Sequence, residues 1–201
     1  MAPSFMSAAR STFPGSGSWP TNRSTQHAFK PESISPNVTK HMFVLGIDPG
    51  LSATGYGVVE SGHPPTAVLA GVIRTDPQMA MEQRLAELFA GLTQVIADSR
   101  PDVVALETVF TNQNLQTAIS VGRASGVALL AAAQAGLKVS EYVPTAVKAA
   151  ITGDGTASKG QIQQMVARLL RLSEPPKPAD AADALAIALC HLRAAPLEMS
   201  R

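Results

Sequence analysis

Four acidic residues of this 201-residue chain stand where apolar segments end or begin, and together they have the character of a cation site. Asp48 closes the run Phe43-Val44-Leu45-Gly46-Ile47-Asp48, and Glu107 closes Val103-Val104-Ala105-Leu106-Glu107. Asp180 and Asp183 open an apolar helical run that continues to about Leu192. In α/β domains, strand ends and helix starts are where sites are assembled. Carboxylates gathered at one point repel each other and need cations; Mg²⁺, a hard ion, prefers carboxylate oxygen and water. Two such ions suit phosphodiester cleavage, one activating the attacking water and the other stabilising the leaving oxygen. Each acid alone has a plainer use. Asp48 before Pro49-Gly50 makes a turn unaided, and Glu107 on a buried strand needs only a salt-bridge partner. Asp180 and Asp183 share a helix face and could simply cap or complement a helix start. The metal reading rests on the four together. The segment after Asp48 has a second use, as a phosphate-binding hairpin built from backbone N–H groups, Ser52 and Thr54.

The elements that must position these acids follow from periodicity. Phe43–Asp48 is a short apolar strand closed by Pro49-Gly50. Strands at residues 54–60 and 67–74 follow at tight connections, which predicts an antiparallel meander. Met81, Leu85, Leu88, Leu92, Val95 and Ile96 then recur at helical spacing across residues 79–99. Pro101 ends that helix, and residues 102–107 form a continuous apolar strand of the central, parallel kind. A second helix spans 115–135, a fifth strand 138–143, and helices follow at 145–151, 158–172 and 179–194. The order β-β-β-α-β-α-β-α, with extra helix near the end, is an α/β mixed five-stranded sheet with helices on its faces. The strands ending in Asp48 and Glu107 should lie side by side.

Composition bounds the function classes. The chain suffices for one well-buried domain. A net charge of +1 does not by itself announce a nucleic-acid partner. Cys190 is the sole cysteine, which excludes an internal disulfide and a cysteine-based zinc site, and it reads as core packing. No apolar stretch reads as a membrane span; residues 127–136 read as a short buried helix. Residues 1–41 are rich in Ser, Pro and Thr, lack a sustained period and lack a secretory h-region. They are expected to be a disordered tail, or to precede a true start at Met42. The folded domain is expected over 42–194, with a short tail at 195–201.

Three runs carry a family resemblance. Leu45-Gly46-Ile47-Asp48-Pro49-Gly50 with Thr54-Gly55-Tyr56-Gly57, then Leu106-Glu107-Thr108-Val109-Phe110, then Asp180-Ala181-Ala182-Asp183-Ala184-Leu185-Ala186-Ile187-Ala188, resemble in order and spacing the bacterial Holliday-junction resolvases of the RuvC family. The resemblance implies a ribonuclease H-like fold. It implies a homodimeric, divalent-metal-dependent endodeoxyribonuclease that makes paired nicks in a four-way junction, leaving 5′-phosphate and 3′-hydroxyl ends. Asp48, Glu107, Asp180 and Asp183 fall on the family's acidic quartet. Two Mg²⁺ per site, with Mn²⁺ as a substitute, a cytoplasmic location, no membrane association and partnership with the RuvA–RuvB branch-migration complex are further implications.

Phe110 lies in a polar loop three residues beyond Glu107, where an aromatic ring can stack on an unpaired base or anchor the loop in the core. Lys148 and Lys159 flank Gly153-Asp154-Gly155-Thr156-Ala157-Ser158 and fall on basic positions of the family, where phosphate contact is implied. Arg123 is a further DNA-binding candidate. Asp154 is ill-suited to a loop approaching phosphate, Ser158 should cap a helix, and His191 should lie on a helix surface or dimer side. Gly122, Ala124, Ser125, Gly126 and Ala128 permit close approach of their helix to the sheet or to another subunit. Two rival functions remain from sequence: an actin- or sugar-kinase-like ATP-binding protein, which normally needs a second similar domain, and a non-catalytic junction-binding module. A branched-RNA or ribosome-maturation nuclease of related fold is a third.

Overall fold

The five expected strands pair into one mixed sheet in the computed structural model, which describes residues 27–28, 41–108 and 115–198. In chain order the strands are β1 (His27–Ala28), β2 (Phe43–Asp48), β3 (Ala53–Glu60), β4 (Thr66–Arg74), β5 (Val103–Glu107) and β6 (Lys138–Tyr142). The helices are α1 (Met81–Ser99), α2 (Leu115–Gln134), α3 (Pro144–Thr152), α4 (Lys159–Leu169) and α5 (Ala179–Glu198). The sheet order is β1-β4-β3-β2-β5-β6. β2, β3 and β4 form the antiparallel meander, while β5 runs parallel to β2 and β6 parallel to β5. β1 adds to the expectation. His27 and Ala28 pair with Ala70 and Leu69, so the segment set aside as a tail supplies an outer strand. The edge of β4 offers backbone N–H and C=O groups that any extended segment can satisfy, whatever its side chains. That contribution has no sequence period to announce it.

Strand periodicity divides the core in two. Val44, Val59, Val103 and Ala105 face α3, α4 and α5, whereas Leu45, Ile47, Tyr56, Val58, Val104 and Leu106 face α1 and α2. Asp48 and Glu107 follow the parity of Val44 and Ala105, which puts both on the α5 side.

Helix α5 lies unusually deep on that face. A Cβ at Gly46 would sit 2.0 Å from the Ala184 carbonyl oxygen, and one at Gly55 would sit 2.1 Å from that of Asp180. The helix meets this glycine floor with Ala181, Ala184 and Ala188, all buried. Side chains absent from both surfaces let helix backbone touch strand backbone.

Helix α2 corrects the expectation of a buried helix at 127–136. Only Ala124, Ala128, Ala131 and Ala132 are buried, while Leu129 is 38% and Leu130 50% exposed. The inward positions carry small residues that let α2 sit close to its neighbours, so the large apolar side chains project outward. By length and composition α2 is also apolar enough to cross a membrane, with 22% of the qualifying window buried. Helix α4 ends before the expected position because Arg171 turns left-handed (φ 52°), and the Leu172 N–H closes the helix on the Ala167 carbonyl.

Candidate metal centre

The parallel pairing of Ile47 with Leu106 places Asp48 and Glu107 one step further along adjacent strands, at the carboxyl end of the sheet. The glycine floor brings the first turns of α5 over the same end. The backbone of Asp180 rests against Gly55, and Asp183 lies one turn further on. Asp48, Asp180 and Asp183 each offer a carboxylate oxygen within 4.8 Å of the others, close enough to share one ion. Glu107 stands outside that triad but lines the same cleft of about 250 Å³, with Asp48, Asp183, Lys148 and Lys159.

Electrostatics mark the cluster as a place for positive charge. Burial, then Asp183 and Asp180, push the Asp48 carboxyl up to about 6, against the pull of Lys159. Burial, then Asp48 and Asp183, push Glu107 up to about 7, with Lys148 and Lys159 opposing. Lys159 reaches in from the start of α4, and its Nζ donates to Asp183 Oδ2 at 2.6 Å. That bond raises the lysine's own pKa. An ammonium already sits against the acids, and the donors are hard, half-buried oxygens, with proton affinity raised at Asp48 and Glu107. This donor set fits a divalent hard cation.

The other predicted residues fall in several places. Lys148 and Lys159 are both on the cleft wall and not merely solvated. Ser158 caps α4 as expected, in a reciprocal capping box with Gln161. Asp154 is exposed, and its carboxylate accepts from the Thr156 N–H at 2.8 Å and the Thr156 hydroxyl at 2.7 Å. Those bonds hold its carboxyl below the usual range. Its charge is engaged within its own loop. Arg123 is exposed on α2 and is not part of the cleft wall. Phe110 lies outside the described residues. Cys190 is buried, and burial pushes its thiol up to about 11, in keeping with an inert core residue.

His191 is a correction. It is 5% exposed, and its Nδ1 lies 2.8 Å from the Tyr142 hydroxyl. The reason is that α5 is enclosed by the sheet and by α3 and α4, so even its polar positions near residue 191 turn inward. The pair braces the strand end beside the acids, because the Tyr142 carbonyl accepts from the Thr108 N–H at 2.8 Å and the Thr108 hydroxyl at 3.2 Å. Sequence also misses Arg84, a buried cation on α1. Its signal was present: Arg84 precedes Leu88 and Leu92 at four-residue intervals, on the apolar face.

Residues 44–191 match the family described as Crossover junction endodeoxyribonuclease RuvC. A protein of that description from Salinispora arenicola is 55% identical over 153 residues, covering 75% of this chain and 87% of the relative. The structure of Thermus thermophilus RuvC superposes with a TM-score of 0.72 at 40% identity, covering 78% of this chain and 97% of that one. The same T. thermophilus protein in complex with Holliday junction substrate superposes at 0.74, with 38% identity and 96% of that chain covered.

Proposed function

The chain belongs to the RuvC family of crossover junction endodeoxyribonucleases, and on that premise we propose how its own residues cut a four-way junction. It is a structure-selective endodeoxyribonuclease that resolves Holliday junctions by metal-dependent nicks, in recombination and DNA repair. The observation that carries the residue assignment is the convergence of Asp48, Asp180 and Asp183, with Glu107 on the same cleft. Family membership leaves the ATP-binding and non-catalytic junction-binding alternatives without support.

Asp48, Glu107, Asp180 and Asp183 would hold the divalent ions. Mg²⁺, two per site, would be the preferred ion, with Mn²⁺ able to replace it; bound there, it would activate water for attack and offset charge building on the phosphodiester. Lys159, which pairs with Asp183, and Lys148 across the cleft offer cationic contacts to the DNA backbone. The products carry 5′-phosphate and 3′-hydroxyl ends. Phe110, three residues past Glu107, stacks on a base unpaired at the junction centre, and Arg123 contacts an arm.

Resolution needs two nicks and therefore two sites. The outward stripe of α2 supports a homodimer. Leu115 (73% exposed) and Ile119 (39% exposed) continue past Gly122 and Gly126 to Leu129 and Leu130. A Cβ at either glycine would meet nothing within 4 Å, leaving room for a second helix to approach closely. The enzyme works in the cytoplasm, on junctions handed over by the RuvA–RuvB complex.

Asp48→Asn and Glu107→Gln should each abolish Mg²⁺-dependent nicking of a four-way junction and leave junction binding equal or tighter. Each substitution disables ion capture and also removes negative charge facing phosphate. Resolution by either variant at the parent rate would refute the assignment.

A further inference from the structure

The sheet end that carries the acids has a second polar cleft, on its opposite face. It has a volume of about 300 Å³ and lies between the Leu51-Ser52 turn, α1 and the start of α2. Arg84 forms part of its wall and is 8% exposed. The guanidinium is held in place by hydroxyls. Its Nε donates to Thr75 Oγ1 at 3.0 Å, and one Nη donates to Ser52 Oγ at 2.8 Å. Thr75 is itself fixed, its hydroxyl donating to the Leu51 carbonyl at 2.6 Å. Two of the five guanidinium N–H groups are thereby used. The others meet no protein acceptor, and no carboxylate pairs with Arg84, among the described residues. Arginine stays charged in proteins, and burying a charge without a counter-charge is strongly unfavourable.

The surroundings favour an anion that comes from solvent. Ser52 is exposed and accepts from Arg84, so its own hydrogen remains to be donated. Thr117 lines the opposite wall in the first turn of α2, a helix end with no acidic residue. Thr54, the other hydroxyl of the hairpin, is not available. It is 1% exposed and locks the turn by donating to the Gly50 carbonyl at 2.6 Å.

We propose that the Ser52–Arg84 cleft binds a phosphate of the substrate's DNA backbone other than the one being cut. The inference rests on the nuclease reading above, and it adds a contact on the far face of the sheet from the acids. Ser52 lies four residues beyond Asp48, so a strand crossing the tips of β2 and β5 runs from the metal cluster to this cleft. The cleft is open at Ser52, as a polymer's phosphate requires.

The test uses the full chain carrying Asp48→Asn, without divalent metal, so that nothing is cut. Affinity for a four-way junction is measured across a range of salt. Ser52→Asp places a carboxylate where it will pair with Arg84. It should weaken binding by about tenfold at low salt. It should also lower the slope of log K against log salt by about 0.7–0.9, the loss of one phosphate contact. Ser52→Asn, neutral and still a donor, should keep the parent's slope. Arg84→Gln should reproduce Ser52→Asp where its melting temperature shows it folded; where it does not fold, the Ser52 pair decides. An unchanged slope in Ser52→Asp, with the parent binding junctions normally, overturns this site and leaves the nuclease reading intact. The same unchanged slope with inorganic phosphate raising the parent's melting temperature, and not that of Ser52→Asp, assigns the cleft to free phosphate and also overturns the proposal. A parent that does not bind junctions at all would instead defeat the nuclease reading itself.

Discussion

Helices α2 and α5 are each 20 residues long, apolar and rich in alanine, yet the fold treats them in opposite ways. Helix α5 is closed in across its middle, and Ala181, Leu185, Ala188 and Leu189 are each no more than 2% exposed. Helix α2 buries only a stripe of alanines and turns Leu129 and Leu130 outward. In α5, small residues serve approach to the sheet, and the reward is positional: two carboxylates delivered to the ends of β2 and β5 on a rigid element. In α2, small residues occur on two sides. Ala124 and Ala128 face the core, and Gly122 and Gly126 face open space. Similar composition therefore places two carboxylates at the sheet end in one helix and leaves an apolar face outward in the other.

The largest effect should come from unseating α5. Gly46→Ala puts a methyl against helix backbone, which cannot rotate aside, and should destabilise by about 3 kcal/mol. Gly126→Ala on α2 meets nothing and should stabilise the subunit by about 0.5–1 kcal/mol through helix propensity. Chemical denaturation of the two variants measures the contrast; equal effects would mean that α5 is not held by backbone contact.

Next comes the strain of the acids themselves. Asp48 and Glu107 hold protons in the folded chain up to about 6 and about 7, whereas in the unfolded chain they lose them near their ordinary values. Between about pH 4 and 7 the native state thus binds more protons than the unfolded state. The sign of the linkage is that stability of the metal-free protein falls as pH rises through this window. Asp48→Asn should remove part of that fall and stabilise the metal-free protein at pH 8 by on the order of 2 kcal/mol. Mg²⁺ should raise the parent's melting temperature at pH 8 more than that of the variant. A parent whose stability rises steadily from pH 5 to 8 without metal would contradict the coupling.

On α2 the expected change is in association and not in folding. Leu130→Glu should shift the protein toward monomer by light scattering, with subunit stability changed by no more than about 0.5 kcal/mol, as for other exposed positions. Loss of fold in this variant would place Leu130 in the core. The smallest effect should follow deletion of residues 1–41. β1 contributes two residues at the sheet edge, so the melting transition should move by no more than the equivalent of about 1 kcal/mol, and nicking should persist.

The five strands of the central sheet, the helices and the four acids were legible in the chain because each is announced locally, whereas β1 was not. Alternation or helical spacing marks the elements, and an acid closing an apolar run is conspicuous where it stands. The parity of Asp48 with Gly46, and of Glu107 with Ala105, fixes each acid's side of its own strand; the register of β2 against β5 puts both on one face. Other features have no local signature. Whether a leucine of α2 is covered depends on what packs beside it, and the hydropathy of residues 127–136 is the same in either case. His191 turns inward because of neighbours 49 residues away, as its bond to Tyr142 shows. Arg84 is held in place by hydroxyls from another element only because the fold brings Thr75 and Ser52 against it. Residue types and periods thus state which groups are present and which side of their own element they occupy. Distances between groups on different elements, and the burial that shifts their charge, arise from long-range packing of one backbone against another. At Gly46 and Gly55 that packing left no room for a single methyl group.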